Sequence, residues 1–141
     1  MNLVETWRTP PTPAWTEADR AAVEAVARDY YEGWYTADAS RMARALHPAL
    51  AKRSFGQGRD RAPELDETSA QEMIDATAAG VGRARAGGEL DIRIAELGGG
   101  IASVNVFAEQ YVDFLHLIQT PEGWRIVNAL WRWADGHGPR A

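Results

Sequence analysis

The sequence contains no cysteine, which excludes a disulfide frame, a thiolate zinc site and a cysteine nucleophile. It has no apolar run long enough to span a bilayer. Its amino terminus lacks the basic region and apolar core of a secretory signal. Positive charge is in deficit: 15 Lys+Arg stand against 20 Asp+Glu, giving a net charge of −5. That balance argues against nucleic acid or an anionic membrane as partner. The three histidines form no close group with acids at ligand spacing, so no metal is expected. No cofactor is expected either, because Gly98-Gly99-Gly100 joins two strands instead of preceding a helix and is no phosphate loop. No Ser-His-Asp arrangement is legible. A cytoplasmic soluble protein is the resulting expectation.

What is present is a chain of 141 residues with ordinary hydrophobic content (45%) and six tryptophans, three of them near the carboxyl end. The expected organisation is one domain over residues 16–135, an amino-terminal arm over 1–15 and a polar tail over 136–141. Pro10, Pro11 and Pro13 forbid a regular helix in the arm. It is either an extended segment docked by Trp7 and Trp15 or a disordered tail.

Residues 16–37 carry the clearest helical pattern. Thr16 suits the N-cap, and Glu17 and Asp19 fall in the first turn, where the helix dipole favours acids. Val23, Val26, Tyr30, Trp34 and Ala37 recur at spacings of three and four, with Tyr31 and Tyr35 beside the stripe. Gly33 weakens the helix and suits a close approach. A short second helix opens at Asp38, runs through Arg41, Met42 and Leu46, and stops at His47-Pro48. Residues 49–55 are expected to be a short extended piece and 56–67 a loop. A capping box of Ser69 and Glu72 announces a third helix over 69–79, followed by a connector over 80–88.

Alternation over 89–97 and 101–109 predicts two strands. The organising stretch is 111–133, which reads as two long strands around Pro121-Glu122-Gly123. A three-residue loop there, with Gly123 in a left-handed bulge, sets Asp113 opposite Trp131, Tyr111 opposite Trp133 and His116 opposite Asn128. One face then carries Tyr111, Asp113, Leu115, Leu117, Val127, Ala129, Trp131 and Trp133. The other carries Val112, Phe114, His116, Ile118, Ile126, Asn128 and Leu130. Helices followed by a run of antiparallel strands give an α+β fold, a curved sheet wrapped on the long first helix as a cone. The open end of a cone is a natural small-molecule site.

The segments DYYEGWYTADASRMARALHP (29–48), LAKR (50–53), IASVNV (101–106), YVDFLHL (111–117) and GWRIVNALW (123–131) resemble the nuclear-transport-factor-2-like superfamily, and within it the family of putative lumazine-binding proteins. The resemblance covers most of residues 16–133. It implies the cone-shaped α+β fold, on which isomerases, cyclases, dehydratases and plain binders are built. More distantly the chain is similar to ketosteroid isomerases and polyketide cyclases. In the isomerases a helical tyrosine and a protonated strand aspartic acid form an oxyanion hole. By motif position that comparison implies Tyr30 and Asp113 for the pair. The base of those enzymes falls near Ser54, where no carboxylate stands.

Three residues are therefore candidates for catalysis: Asp113, Tyr30 and His47. Burial among Tyr111, Trp131 and Trp133 is expected to raise the pKa of Asp113 and let it donate to a ligand carbonyl. The alternative is a structural acid bonded to a tyrosine, a tryptophan or an arginine. His47 is either a base at the mouth or helix-stop chemistry before Pro48. Arg53 either holds a ligand carboxylate, neutralises Asp113, or is a solvated surface cation. The expected ligand-binding set is Tyr30, Trp34, Arg53, Phe55, Tyr111, Asp113, Leu115, Trp131 and Trp133. A binding protein for a flat, apolar ring with a carbonyl is the leading expectation. An isomerase or cyclase and a ligand-free interaction module are the alternatives. The apolar face with Val112, Phe114, His116, Ile118, Ile126, Asn128 and Leu130 has no helix left to cover it, so a homodimer formed sheet to sheet is expected.

Overall fold

The computed structural model describes residues 15–57 and 63–139. The expected arm over 1–15 lies outside the described residues except for its last, Trp15, which is half exposed.

Helix α1 (Glu17–Thr36) begins with a complete capping box in which Thr16 and Asp19 satisfy each other's backbone N–H groups. It ends at Ala37, which adopts a left-handed conformation at φ 57°. Helix α2 (Ala39–Ala45) is capped by Asp38 and folds back on α1. Gly33 makes that return possible, because a Cβ there would stand 3.2 Å from the backbone nitrogen of Met42. The same junction is pinned by Asp29, which accepts hydrogen bonds from Arg41 and Arg44. Helix α3 (Ala70–Ala78) carries the capping box of Ser69 and Glu72. The connector after it is a 3-10 helix over Val81–Arg85.

Six strands form one sheet in the order β2-β1-β6-β5-β4-β3. Strand β1 (Leu46–Gln57) begins two residues earlier than Pro48 suggests and continues past the expected short piece. Strand β2 (Pro63–Thr68) replaces part of the expected loop; its pairing with β1 sets Arg53 against Glu67 and Phe55 against Leu65. No local apolar alternation marks β2, so only the partner strand reveals it. Strands β3 (Asp91–Gly98), β4 (Ile101–Phe107), β5 (Tyr111–Thr120) and β6 (Gly123–Trp133) follow in order. All neighbours are antiparallel except β1 and β6, which run parallel, so the sheet is mixed.

The three expected cross-strand pairs of the last hairpin are present: Asp113 with Trp131, Tyr111 with Trp133 and His116 with Asn128. The extra residue, however, is not in the loop. Thr120 pairs with Gly123, and the register shifts between His116 and Leu117, which leaves Val127 as a bulge. Below the bulge the faces exchange. Ile126 is fully buried and Trp124 nearly so, while Val127 is only partly buried. Ile126 therefore belongs to the core and not to the outer face, and Val127 leaves the inner set.

The core lies between α1 and the inner sheet face, with Val23, Ala27, Tyr30 and Tyr31 of α1 against Val104, Val106, Leu115, Leu117 and Ile126. Each such aliphatic side chain contributes about 1.5–3 kcal/mol on burial, which outweighs the local cost of the glycines in α1 and β1. No helix among the described residues is long and apolar enough to cross a membrane.

Candidate functional site

The alternation of β5 points Tyr111, Asp113, Leu115 and Leu117 inward. Towards the turn these residues are sealed into the core. Towards the other end of the hairpin the packing opens into a cavity of about 360 Å³. Its walls come from four parts of the chain: Tyr30, Tyr31 and Trp34 of α1, Lys52 of β1, Tyr111 and Asp113 of β5, and Trp131 and Trp133 of β6. Met73 and Ala76 of α3, with Val81 and Arg85 of the 3-10 helix, complete the rim.

One wall is an aromatic cluster. Tyr111 stacks on Trp133 with ring centroids 5.2 Å apart and meets Trp131 edge-on at 5.5 Å. The Trp34 indole N–H donates to the Tyr111 hydroxyl at 3.2 Å, which ties α1 to β5. Arg85 lies over the Trp133 ring at 4.6 Å and donates to the carbonyl of Gly138 at 3.0 Å. This holds the carboxyl-terminal segment to the rim, where Pro139 lines the cavity.

The polar groups sit together at the floor. Asp113 is 2% exposed, and its Oδ2 accepts a hydrogen bond from the Tyr31 hydroxyl at 2.9 Å. Its Oδ1 has no hydrogen-bond partner among the described residues. Lys52 is 7% exposed; its Nζ donates to the Tyr30 hydroxyl and lies 5.2 Å from the centre of the Trp131 ring. Burial pushes the Asp113 carboxyl above its ordinary value, against the opposing pull of the Lys52 charge and the Tyr31 and Tyr30 hydroxyls. Burial pushes the Lys52 amine down, with the Asp113 charge opposing. Tyr30 and Tyr31 are both held well above the usual phenol range by burial and by Asp113, so they remain neutral donors. Burial also lifts Tyr35 to about 12.

Of the residues expected in the site, Tyr30, Trp34, Tyr111, Asp113, Trp131 and Trp133 line this cavity. The others do not. Leu115 points inward but is fully buried two residues deeper along β5, inside the core. Arg53 and Phe55 lie on the outer sheet face, because β1 pairs Lys52 with buried Ala129 and Arg53 with exposed Leu130. Arg53 there faces Glu67 at 3.7 Å, and Phe55 is 57% exposed. His47 lies at the turn end of the hairpin in a separate groove with Thr120, Pro121 and Arg125. Its Nδ1 accepts the Ala49 N–H at 3.0 Å, so it is not a base for this cavity. The expected partner Tyr30 acts on Asp113 through its hydroxyl and also accepts from the Lys52 amine, while Tyr31 adds the hydrogen bond to Oδ2 at 2.9 Å.

Lys52 is the important residue that the pattern of the sequence did not single out. The clue was compositional: it is the only lysine in the chain, the other fourteen Lys+Arg positions being arginine. Which of Lys52 and Arg53 faces inward is fixed only by the register of β1 against β6. Among the described residues no group of acids and histidines could hold a metal ion.

The fold is similar to that of solved structures. An NTF2-like protein of unknown function from Silicibacter pomeroyi superposes with a TM-score of 0.66 at 21% identity, covering 86% of this chain and all of that one. One from Methylobacillus flagellatus, also of unknown function, gives 0.66 at 17% identity over 89% of this chain and 99% of that one. A ketosteroid isomerase-like protein from Erwinia carotovora atroseptica gives 0.55 at 14% identity over 86% and 99%. These likenesses show the NTF2-like, cystatin-like fold. No curated protein matches the sequence. The model of one family matches residues 18–132, the span that contains nearly all of the three helices, Tyr111 and Trp131 of the aromatic wall and the buried floor, and the chain belongs to that family, described as "Putative lumazine-binding".

Proposed function

We propose that the protein binds a flat, largely apolar ring compound bearing a carbonyl, with the ring against Tyr111, Trp131 and Trp133 and the carbonyl at the Lys52–Asp113 floor. The observation that carries this reading is the unpartnered Oδ1 of the fully buried Asp113 beside an aromatic-walled cavity. A buried polar atom without a partner costs about 1–3 kcal/mol, which a ligand group would recover. Since Oδ2 is occupied by the Tyr31 hydroxyl, a proton on the carboxyl resides on Oδ1 and is available to a carbonyl. The cavity volume is at the small end of the range for ligand sites, which suits one or two fused rings. The family's description names lumazine, a bicyclic compound with carbonyls, and on that ground it joins the ligand panel.

Calorimetry with flat bicyclic carbonyl compounds tests the reading. Binding that weakens about tenfold or more in Asp113→Leu is expected, the loss of one hydrogen bond to a buried acid. Failure of every compound to bind, or affinity unchanged in Asp113→Leu, refutes it.

We also infer that the outer sheet face packs against a second copy of this chain. Phe114 and Leu130 are cross-strand partners on that face and each is 45% exposed. His116 and Asn128 pair beside them, 3.2 Å apart. Val112 and Ile118 extend the strip, which no helix covers among the described residues. Sedimentation should give a dimer that dissociates in Phe114→Glu. A monomer at tens of micromolar removes the inference.

A further inference from the structure

The cavity holds one group that binding alone does not require. A hydrogen-bond donor beside Asp113 could be supplied by arginine, which this chain uses for every other cation. Arginine cannot give up its proton in a protein, whereas a lysine can. The single lysine is placed at the one position where its amine is buried in an apolar, aromatic-lined cavity. Among the described residues no carboxylate lies within ion-pair distance of it, although the Asp113 charge acts on it from further off; its hydrogen bond is to the neutral Tyr30 hydroxyl. Desolvation without a close counter-ion is the condition under which a lysine becomes a neutral nucleophile. Beside it stands a carboxyl with a free oxygen, able to give and take a proton.

We propose that Lys52 captures an aromatic aldehyde in this cavity as a reversible imine, with Asp113 as the proton carrier. The inference rests on the cavity being a site for flat ring compounds. In the first step the Lys52 Nζ lone pair attacks the carbonyl carbon, a C–N bond forms, and the carbonyl oxygen takes the proton of Asp113. The nitrogen then loses a proton to the Asp113 carboxylate, giving a neutral carbinolamine. In the second step Asp113 returns that proton to the hydroxyl, which leaves as water while the nitrogen lone pair forms the C=N bond. The last nitrogen proton passes to Asp113. The sum is amine plus aldehyde giving imine plus water, with no change in oxidation state. Burial pushes the Lys52 amine down and the Asp113 carboxyl up, each shift favouring its neutral form.

The composition makes the test clean, because Lys52 carries the only side-chain amine and competes only with the α-amine of the chain. Full-length protein is incubated with naphthaldehyde and sodium cyanoborohydride near neutral pH, and the reduced adduct is located by peptide mapping. Naphthamide, which is flat and cannot form an imine, is titrated in parallel by calorimetry. The proposal expects one adduct on Lys52, favoured over the α-amine by roughly tenfold or more in the folded protein. In urea the preference should reverse, since an exposed lysine is far more protonated than an α-amine. Naphthamide should compete for the folded reaction, and Lys52→Arg should abolish it. Mapping of the wild-type protein decides the matter even if that variant does not fold. If naphthamide binds but adducts form on the α-amine alone, imine capture is refuted and the binding site stands. If naphthamide does not bind and Lys52 is unmodified, both are refuted.

Discussion

The Tyr31 hydroxyl donates to Asp113 Oδ2 at 2.9 Å across the interior, joining α1 to β5 at the one buried acid of the cavity. The partners are 82 positions apart in the chain, so the contact exists only because the sheet closes on the helix. Tyr31→Phe deletes the donor to Oδ2 and leaves the carboxyl with the Tyr30 hydroxyl as its remaining tyrosine partner. The expected loss is about 1–3 kcal/mol of stability. Urea unfolding should show a lower midpoint with an unchanged slope. A midpoint equal to wild type would mean that the bond contributes nothing.

Lys52 and Asp113 should behave as one unit. Lys52→Met removes the amine that faces Asp113 and donates to the Tyr30 hydroxyl, and should cost about 1–3 kcal/mol by leaving buried polar groups short of a partner. Adding Asp113→Leu should restore part of that, since an apolar pair is tolerated where a single unpaired buried polar group is not. Strictly additive losses in the double-mutant cycle would show that the two groups are uncoupled.

The same pair fixes a pH dependence of definite sign. Asp113 has a folded pKa above its unfolded value of 3.8, burial being the largest cause. Its contribution is complete below the unfolded value and is lost as pH rises through the folded one. Lys52 has a folded pKa below 10.5, again through burial, so its contribution is complete above that value and is lost as pH falls through the folded one. Asp29 runs the opposite way to Asp113. Burial raises it, but Arg44 and Arg41 together bring it below 3.8, so its contribution is lost in acid. The stability difference between Asp113→Asn and wild type should therefore move in favour of the variant as pH rises above about 4. Denaturation series across pH measure it, and a trend in the other direction would show that Asp113 is stabilised in its ionised form.

Gly82 is the tightest point of the rim. A Cβ there would lie 2.3 Å from the carbonyl oxygen of Trp34 and 2.5 Å from its ring. The backbone of α1 cannot yield, so Gly82→Ala should displace the 3-10 helix at a cost of about 1–3 kcal/mol. Affinity for ring ligands should fall with it, because Trp34 and Val81 both line the cavity. Unchanged thermal stability in this variant would show that the rim yields to the added methyl group.

Much of this architecture was legible before any coordinates. The stripe of α1, the N-cap at Thr16, the capping box at Ser69, and the pairing of Asp113 with Trp131 follow from periodicities of 3.6 and 2 and from local cap chemistry. The inward acid among aromatic residues followed from them. The location of the extra hairpin residue did not, since a glycine in the loop and a bulge at Val127 give the same pairs at the far end of the strands. β2 was not legible either, because its pairing with β1 and not its own composition makes it a strand.

The sequence by itself determined the helices, the strand alternation and the choice of a single lysine, because these depend on neighbours a few residues apart. Tertiary structure alone decided that Lys52 and not Arg53 faces the interior, that Tyr31 joins Tyr30 at the acid, and that His47 lies at the opposite end. Strand side chains alternate by half a turn per residue, so one step of register between β1 and β6 exchanges the buried cation for the exposed one, and that step is set by the packing of the whole sheet.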